Sequence, residues 1–280
     1  MDIKLQAEEF ALFRRWVEEI SGISVDDRKT YLIENRLGGL VAETRCSSFG
    51  EFYQKYKNSC PPVLRDRIID QMTTNETLWF RDMHPFTIFR EVLLPVYCRE
   101  IAAGKRRTIR VWSSACSTGQ EPYSLAILFL EAIRTNSLLK RGMIDIMATD
   151  ISDSALAQAR SGSYDKIAVN RGLSPEYRAR YFTDEGRLWS IAPAVKELVK
   201  FEKFNLQDPF SKLGAFDIIF CRNVAIYFSE KFKRELFAKH AGILTRGGIL
   251  FLGSSESISL YSNEYDMLEH NRGIYYRVRK

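Results

Sequence analysis

Residues Thr108 to Tyr123 read TIRVWSSACSTGQEPY. Ile109, Val111 and Trp112 mark a short apolar strand, and Ser113-Ser114-Ala115-Cys116-Ser117-Thr118-Gly119 marks a loop of small side chains. A helix is expected to begin near Glu121-Pro122. A strand that ends in small residues and runs into a helix lets a ligand approach the backbone and the first helical amides. A second apolar run, Met143 to Ala148, ends in Thr149-Asp150. An acidic side chain at the end of the second strand is where nucleotide-binding α/β folds hold ribose hydroxyls, so Asp150 is the expected ribose acceptor. Its competing role is to cap the following helix, for which Ser152 is better suited. The phosphate fingerprint GxGxxG is absent, so the expected ligand is a nucleoside without phosphates.

Strand and helix alternate from Pro85 onward. Strands are expected at Ile109–Ser113, Ile144–Thr149, Val199–Phe204, Phe216–Cys221 and Ile249–Leu252, and helices at Phe86–Ala102, Glu121–Thr135, Ser152–Ser161 and Glu230–Ile243. This order predicts an α/β domain over 85–280, with a parallel sheet covered on both faces. Gly273 to Arg279, after a turn at 270–273, reads as a strand returning antiparallel. Residues from about 165 to 192 break the rhythm and read as a small inserted antiparallel hairpin, with a turn at Asp184-Glu185-Gly186. Residues 1–72 form a helical domain. Phe10, Phe13, Val17 and Ile20 keep helical spacing before Ser21-Gly22, and a second helix is expected over Asp27–Glu43. Between the two parts lies a linker, 73–84, containing TTNETLWFRD, dense in hydrogen-bonding side chains and without clean periodicity.

Composition narrows the function classes. Hydrophobic residues make up 45% of the 280, enough for a real core, and no apolar run reaches the roughly 18 residues of a membrane span. The N-terminus is charged and amphipathic, unlike a signal peptide, and the five cysteines are scattered without CxxC spacing. A cytoplasmic protein with reduced thiols and no metal site is expected. Cys116 and Cys221 read as small apolar fillers near strand ends rather than nucleophiles. The net charge of +6 suits nucleic acid, an anionic membrane surface or an acidic protein partner. No RNA-binding signature accompanies the dispersed charge, so nucleic acid is not expected.

The loop SSACSTGQEPYSLAI resembles the first motif of the chemoreceptor glutamate methyltransferases, the CheR family. Thr73–Thr77 with Phe80-Arg81-Asp82, Ala148–Ser152, Phe216–Val224 through Tyr227-Phe228, and Gly253-Ser254-Ser255-Glu256-Ser257 are similar in the same order, so the likeness spans nearly the whole chain. The resemblance implies a Rossmann-like methyltransferase sheet with an N-terminal helical domain and a small inserted antiparallel β-subdomain. It implies S-adenosyl-L-methionine as cofactor, S-adenosyl-L-homocysteine as product, and glutamate carboxylates on the cytoplasmic methylation helices of chemoreceptors as acceptors. A carboxylate with a reference pKa of about 4.3 is already ionised at neutral pH, so such a transfer needs alignment and desolvation rather than a general base. No role is expected for His84, His240 or His270.

Carried over by residue, the resemblance places Glu121, Asp150, Arg222 and Asn223 at the cofactor. From the residues alone, Glu121 also suits a helix N-terminus electrostatically. Asn205-Leu206 is an expected adenine-side contact, with strand-end capping as its alternative. Asn75 and Thr77 are expected to close over the cofactor from the linker. Arg81 can clamp the carboxylate of cofactor or acceptor, or pair with Asp82. Tyr227 can orient the acceptor carboxylate or serve as a core aromatic beside Phe228. The resemblance favours active-site roles for Arg81 and Tyr227. Lys29 and Arg36 on the second helix, with Arg28 and Arg45 nearby, are the candidate docking face for Glu-rich helices; a solvated face is the alternative. Family members that dock on a receptor's C-terminal pentapeptide have a longer turn in the inserted hairpin. Here Thr183–Arg187 alone separates Phe182 from Leu188, which speaks against tail docking. The competing readings are a methyltransferase for another acceptor such as RNA, and a cofactor-binding adaptor without catalysis.

Overall fold

The computed structural model describes residues 3–280. Four helices come first: α1 (Ala7–Ser21), α2 (Thr30–Glu43), α3 (Phe49–Tyr56) and α4 (Pro62–Met72). Their apolar stripes converge on one core in which Phe13, Ile33, Val41, Phe49 and Ile68 are fully buried. Gly22 ends α1 with φ +76° and donates its N–H to the Glu18 carbonyl, a left-handed cap that glycine adopts without strain. The second helix starts later than its expected Asp27. Asp26 accepts the Arg28 N–H on its carboxylate and the Lys29 N–H on its carbonyl, so 26–29 form a turn. Lys29 therefore flanks α2 and does not share a helical face with Arg36.

After the linker, α5 (His84–Ile88) continues through a π turn (Phe89–Leu93) into α6 (Leu94–Ala102). Then come β1 (Ile109–Ser114), α7 (Gln120–Thr135), β2 (Ile144–Asp150) and α8 (Asp153–Ser161). An insertion follows: β3 (Ser163–Asp165), α9 (Lys166–Asn170), α10 (Pro175–Tyr181), β4 (Phe182–Asp184) and β5 (Leu188–Ile191). The chain rejoins the main sheet with α11 (Pro193–Lys196), β6 (Val199–Lys203), β7 (Phe216–Phe220), α12 (Glu230–Ile243), β8 (Leu244–Phe251), β9 (Tyr265–His270) and β10 (Gly273–Val278).

The seven-stranded sheet has the order β6-β2-β1-β7-β8-β10-β9, and β10 alone runs opposite to the others, so its pairings with β8 and β9 are antiparallel. The chain builds outward from β1 through β2 to β6, then crosses back to β7. That reversal places a crevice at the carboxyl ends of β1 and β7, where open α/β sheets bind ligands. Alternation along β1 feeds both faces: Val111 packs with the α7 side and Trp112 with the α12 side. The final strand pairs antiparallel to β8, and its hairpin partner β9 is an element the sequence did not announce. The hairpin turns at Asn271 and Arg272, both with positive φ.

The insertion is a three-stranded antiparallel sheet, β3-β5-β4, carrying two helices, rather than a lone hairpin. The linker packs against it through the buried Trp79 and Phe80. Trp79 packs edge-on to Tyr164 and Phe182, and its carbonyl lies 2.0 Å from where a side chain on Gly172 would begin, so only glycine fits there. Among the described residues no helix is long and apolar enough to cross a membrane.

Candidate active site

A cleft with about 940 Å³ of empty space, part of it open to solvent, lies at the carboxyl ends of the parallel strands. Its walls come from the end of α1, the linker, and the loops after β1, β2, β6 and β7. It is lined by Asn75, Thr77, Arg81, Glu121, Asp150, Asn205, Leu206, Arg222, Asn223 and Tyr227. These ten residues span about 150 positions of sequence, and the strand order brings them together. Lys29 and Arg36 are not among the lining residues.

The loop after β1 is folded back on itself. Ala115 and Ser117 have φ of 58° and 51°, a region costly for side-chain-bearing residues, so tertiary bonds must hold them there. Asp150 supplies one of those bonds, its carboxylate accepting the Ser117 N–H at 2.7 Å, and its other oxygen accepts the N–H of Ser152 at 2.9 Å just beyond β2. Burial raises its pKa, opposed by amide donors from Ser152, Ser117 and Ile151. A carboxylate has about four lone-pair positions, and the Ser117 and Ser152 bonds take two of them, so acceptor capacity is left for ligand hydroxyls. The cap of α8 is Ser152, which accepts the Ala155 N–H. From the linker, the Asn75 carbonyl accepts the Ser117 hydroxyl at 2.9 Å.

A second network crosses the cavity wall. Arg222, its side chain 1% exposed, donates to Glu121 at 2.7 Å and to Asp82 at 2.9 Å, and also to the Arg81 carbonyl. The other Glu121 oxygen accepts the Ser113 hydroxyl at 2.8 Å. Glu121 and Arg222 thus line the cavity as members of a buried ion pair tying α7, the β7 end and the linker together. Because Asp82 is committed to Arg222, Arg81 has no carboxylate partner among the described residues. It donates to the Glu76 carbonyl at 3.0 Å, and its remaining donors are available to the cavity it lines.

Asn223 has φ +56°, its buried Oδ1 has no partner, and it faces the same space. An orphaned acceptor of this kind fits a ligand that brings a donor. Tyr227 combines its two expected surroundings: it packs against the α12-side core and also lines the cavity. Asn205 is largely used in tertiary structure. Its amide donates to the Ile20 carbonyl at the end of α1, and its Oδ1 accepts the Gln207 N–H. Its oxygen thus caps the loop after β6 while its nitrogen ties that loop to α1, and the residue also lines the cavity.

The cations expected to form one docking face have separate employments. Arg36 donates to the carbonyls of Met72 at 2.6 Å and Thr73 at 3.0 Å and to the Thr74 hydroxyl. It fixes the linker wall of the cavity instead of projecting to solvent. Arg28 pairs with Asp26, whereas Lys29 is exposed. Glu256, close to the cavity wall, was given no separate role from the sequence. It lies in the quoted segment Gly253–Ser257, and its carboxylate accepts three backbone amides from the loops after β7 and β8.

Residues 75–274 match the family model described as CheR methyltransferase, SAM binding domain, and residues 8–73 match CheR methyltransferase, all-alpha domain. A chemotaxis protein methyltransferase of Pseudomonas aeruginosa is 42% identical over 272 residues, spanning 97% of this chain and 98% of the relative. One from Vibrio anguillarum is 43% identical, spanning 99% of each. The orphaned Asn223 acceptor, the unpaired Arg81 guanidinium and the acceptor positions left on Asp150 fit a ligand with ammonium, carboxylate and ribose groups, as S-adenosylmethionine has. Cavity, sheet topology and full-length relatives agree, and the chain belongs to the CheR family of S-adenosylmethionine-dependent methyltransferases.

Proposed function

We propose that the protein methylates glutamate side chains on the cytoplasmic helices of bacterial chemoreceptors, forming methyl esters in chemotaxis adaptation. The observation that carries this reading is that, among the described residues, every carboxylate lining the cavity already has partners and no histidine lines it. Glu121 is held by Arg222 and Ser113, Asp150 by backbone amides, and Glu76 pairs with Arg171. Burial pushes the Cys116 thiol well above its usual range, so it stays protonated. Such a site suits an acceptor that arrives already anionic. The relatives' description as chemotaxis protein methyltransferases points to the same substrate class.

S-adenosylmethionine, when bound, supplies an electrophilic methyl group. The protein's own work is to bind, align and exclude water. Asp150 is assigned to the ribose hydroxyls and the Asn223 amide oxygen to the cofactor's ammonium. The Arg81 guanidinium holds a carboxylate, and Tyr227 orients the acceptor. Asn75 and Thr77 form the linker side of the wall. Leu206 supplies apolar surface on the base side, with Asn205 fixing the loop that carries it. Radiolabelled cofactor incubated with receptor-bearing membranes tests the reading. Base-labile label on receptors is the expected result; label on RNA, or binding without transfer, would overturn it.

Two predictions belong to this reading. Tyr227→Phe is expected to lower single-turnover methyl transfer about tenfold while affinity for S-adenosylhomocysteine stays constant, because the hydroxyl acts on the acceptor. An unchanged rate would return Tyr227 to a packing role. Lys29→Glu is expected to raise the receptor KM about two- to fivefold and to flatten its salt dependence, since an exposed charge acts through a screened field. Arg36→Glu should differ in kind: it also weakens cofactor binding, because three hydrogen bonds to the linker wall are lost. Steady-state kinetics at low and high salt, with calorimetry alongside, separates the two. Deleting the receptor's last residues should change little, because the β4–β5 turn is only Glu185-Gly186-Arg187 long. Loss of activity on that deletion would restore tail docking.

A further inference from the structure

β7 and β8 are adjacent parallel strands, so the loops leaving their carboxyl ends emerge side by side. The first, Arg222–Phe228, carries Asn223 and Tyr227 into the cavity. The second, Gly253–Ser257, contributes nothing to the cavity lining. One side chain joins them. Glu256 Oε2 accepts the N–H of Asn223 at 2.7 Å and of Gly253 at 2.7 Å, while Oε1 accepts the N–H of Ile226 at 3.2 Å. Two of these amides, those of Asn223 and Ile226, belong to a turn in which Asn223 sits at φ +56°, in the left-handed region. Packing closes the arrangement from the other side. A side chain on Gly253 would begin 2.6 Å from the side-chain Nδ2 of Asn223 and 2.8 Å from the Glu256 carboxylate.

Neighbouring Ser254 bonds Asp82, which holds Arg222. The short segment Gly253–Glu256 thereby braces both the Arg222 network and the Asn223–Tyr227 turn from behind.

We propose that Glu256 is a positioning residue for the acceptor side of the active site: its carboxylate sets the left-handed turn that aims Asn223 and Tyr227 into the cavity. This rests on the methyl-transfer reading above for its kinetic consequence, but not for its structural one. Among the described residues Glu256 makes no hydrogen bond to the loop after β1 or to Asp150, so its bonds hold the acceptor side of the cavity and not the ribose side.

Glu256→Gln tests the idea with nearly unchanged shape. An amide offers one acceptor oxygen and one N–H₂ donor, so at least one backbone N–H faces a donor and loses its bond. Amide hydrogen exchange at Asn223 and Ile226 is expected to speed at least ~10-fold, with exchange in β1 and β2 unchanged. Single-turnover transfer at saturating acceptor should fall ~30-fold, with affinity for S-adenosylhomocysteine changing less than about threefold. Glu256→Asp, which keeps the charge on a shorter arm, should recover part of the rate. Unchanged exchange at both amides would overturn the proposal. So would a rate loss matched by an equal loss of cofactor affinity, which marks general loosening. If the wild type transfers no methyl group to receptors, the reaction reading fails, and the exchange data still decide the role of Glu256.

Discussion

Arg222→Met is expected to destabilise the protein by about 3–5 kcal/mol, the range for removing one partner of a buried ion pair. The side chain is 1% exposed and sits between two carboxylates, Glu121 and Asp82, with the Phe86 ring 5.5 Å from its guanidinium carbon. Methionine fills comparable volume but leaves Glu121 buried with a serine hydroxyl as its remaining partner and Asp82 with Ser254 alone. The measurement is a urea transition at neutral pH, where a lower midpoint with unchanged slope reports stability alone. The pH dependence gives a second signature. Burial alone would raise the Asp82 pKa, but Ser254 and Arg222 outweigh it and hold the carboxyl below its usual value of 3.8. With a depressed folded pKa, the unfolded chain binds more protons in the acid range. This stabilisation is therefore complete above 3.8 and is lost as pH falls through the folded value. In the variant the charge that depresses it is gone. The gap between wild type and Arg222→Met should narrow on acidification, as the stranded carboxylates become neutral. A gap below about 1 kcal/mol at neutral pH, or one that does not change with pH, would show that the pair contributes little.

That network also marks where the sequence stopped being legible. Periodicity and small-residue loops located β1, β2, β7 and the helices between them because these elements bury continuous apolar faces. β9 was silent because it is an edge strand with a single buried residue, Tyr265. A one-sided strand leaves little alternation to detect. The insertion looks like one hairpin in the sequence because β3 and β4 are three residues each, and α9 and α10 are only five and seven long. The cavity residues were legible as types suited to a nucleoside and a carboxylate, and the resemblance supplied their roles. Their partners were not. Nothing in the spacing of Asp82, Glu121 and Arg222 says that they meet, since strand order alone brings them together. Arg36 shows the same gap. Heptad spacing suggested a surface shared with Lys29, whereas a turn at Asp26 moves Lys29 off the helix and the linker backbone captures Arg36. Glu256 was visible only as part of a matching segment, because accepting backbone amides leaves no mark on residue type.

Asp150 offers the sharpest separation of binding from folding. Its carboxylate holds Ser117 and Ser152 while lining the cavity, so Asp150→Ala should cost on both counts. Two buried N–H groups lose their acceptor at about 1–3 kcal/mol each, before relaxation or water entry reduces the penalty. On the binding side, charge-assisted bonds to two hydroxyls are worth roughly 1.5–3 kcal/mol apiece, so the Kd for S-adenosylhomocysteine should rise ~100-fold or more. Asp150→Asn distinguishes the two roles. Its oxygen can still serve one backbone amide, and removing a buried charge whose pKa is raised by desolvation relieves part of the folding cost. Stability should therefore recover partly relative to alanine. Affinity should not, because the amide has lost the anionic acceptor that two ribose hydroxyls need. Calorimetric titration at a temperature where circular dichroism shows both variants folded makes the comparison. If affinity instead recovers in step with stability, Asp150 acts by shaping the loop after β1. If affinity is unchanged in folded Asp150→Ala, the residue leaves the binding site altogether.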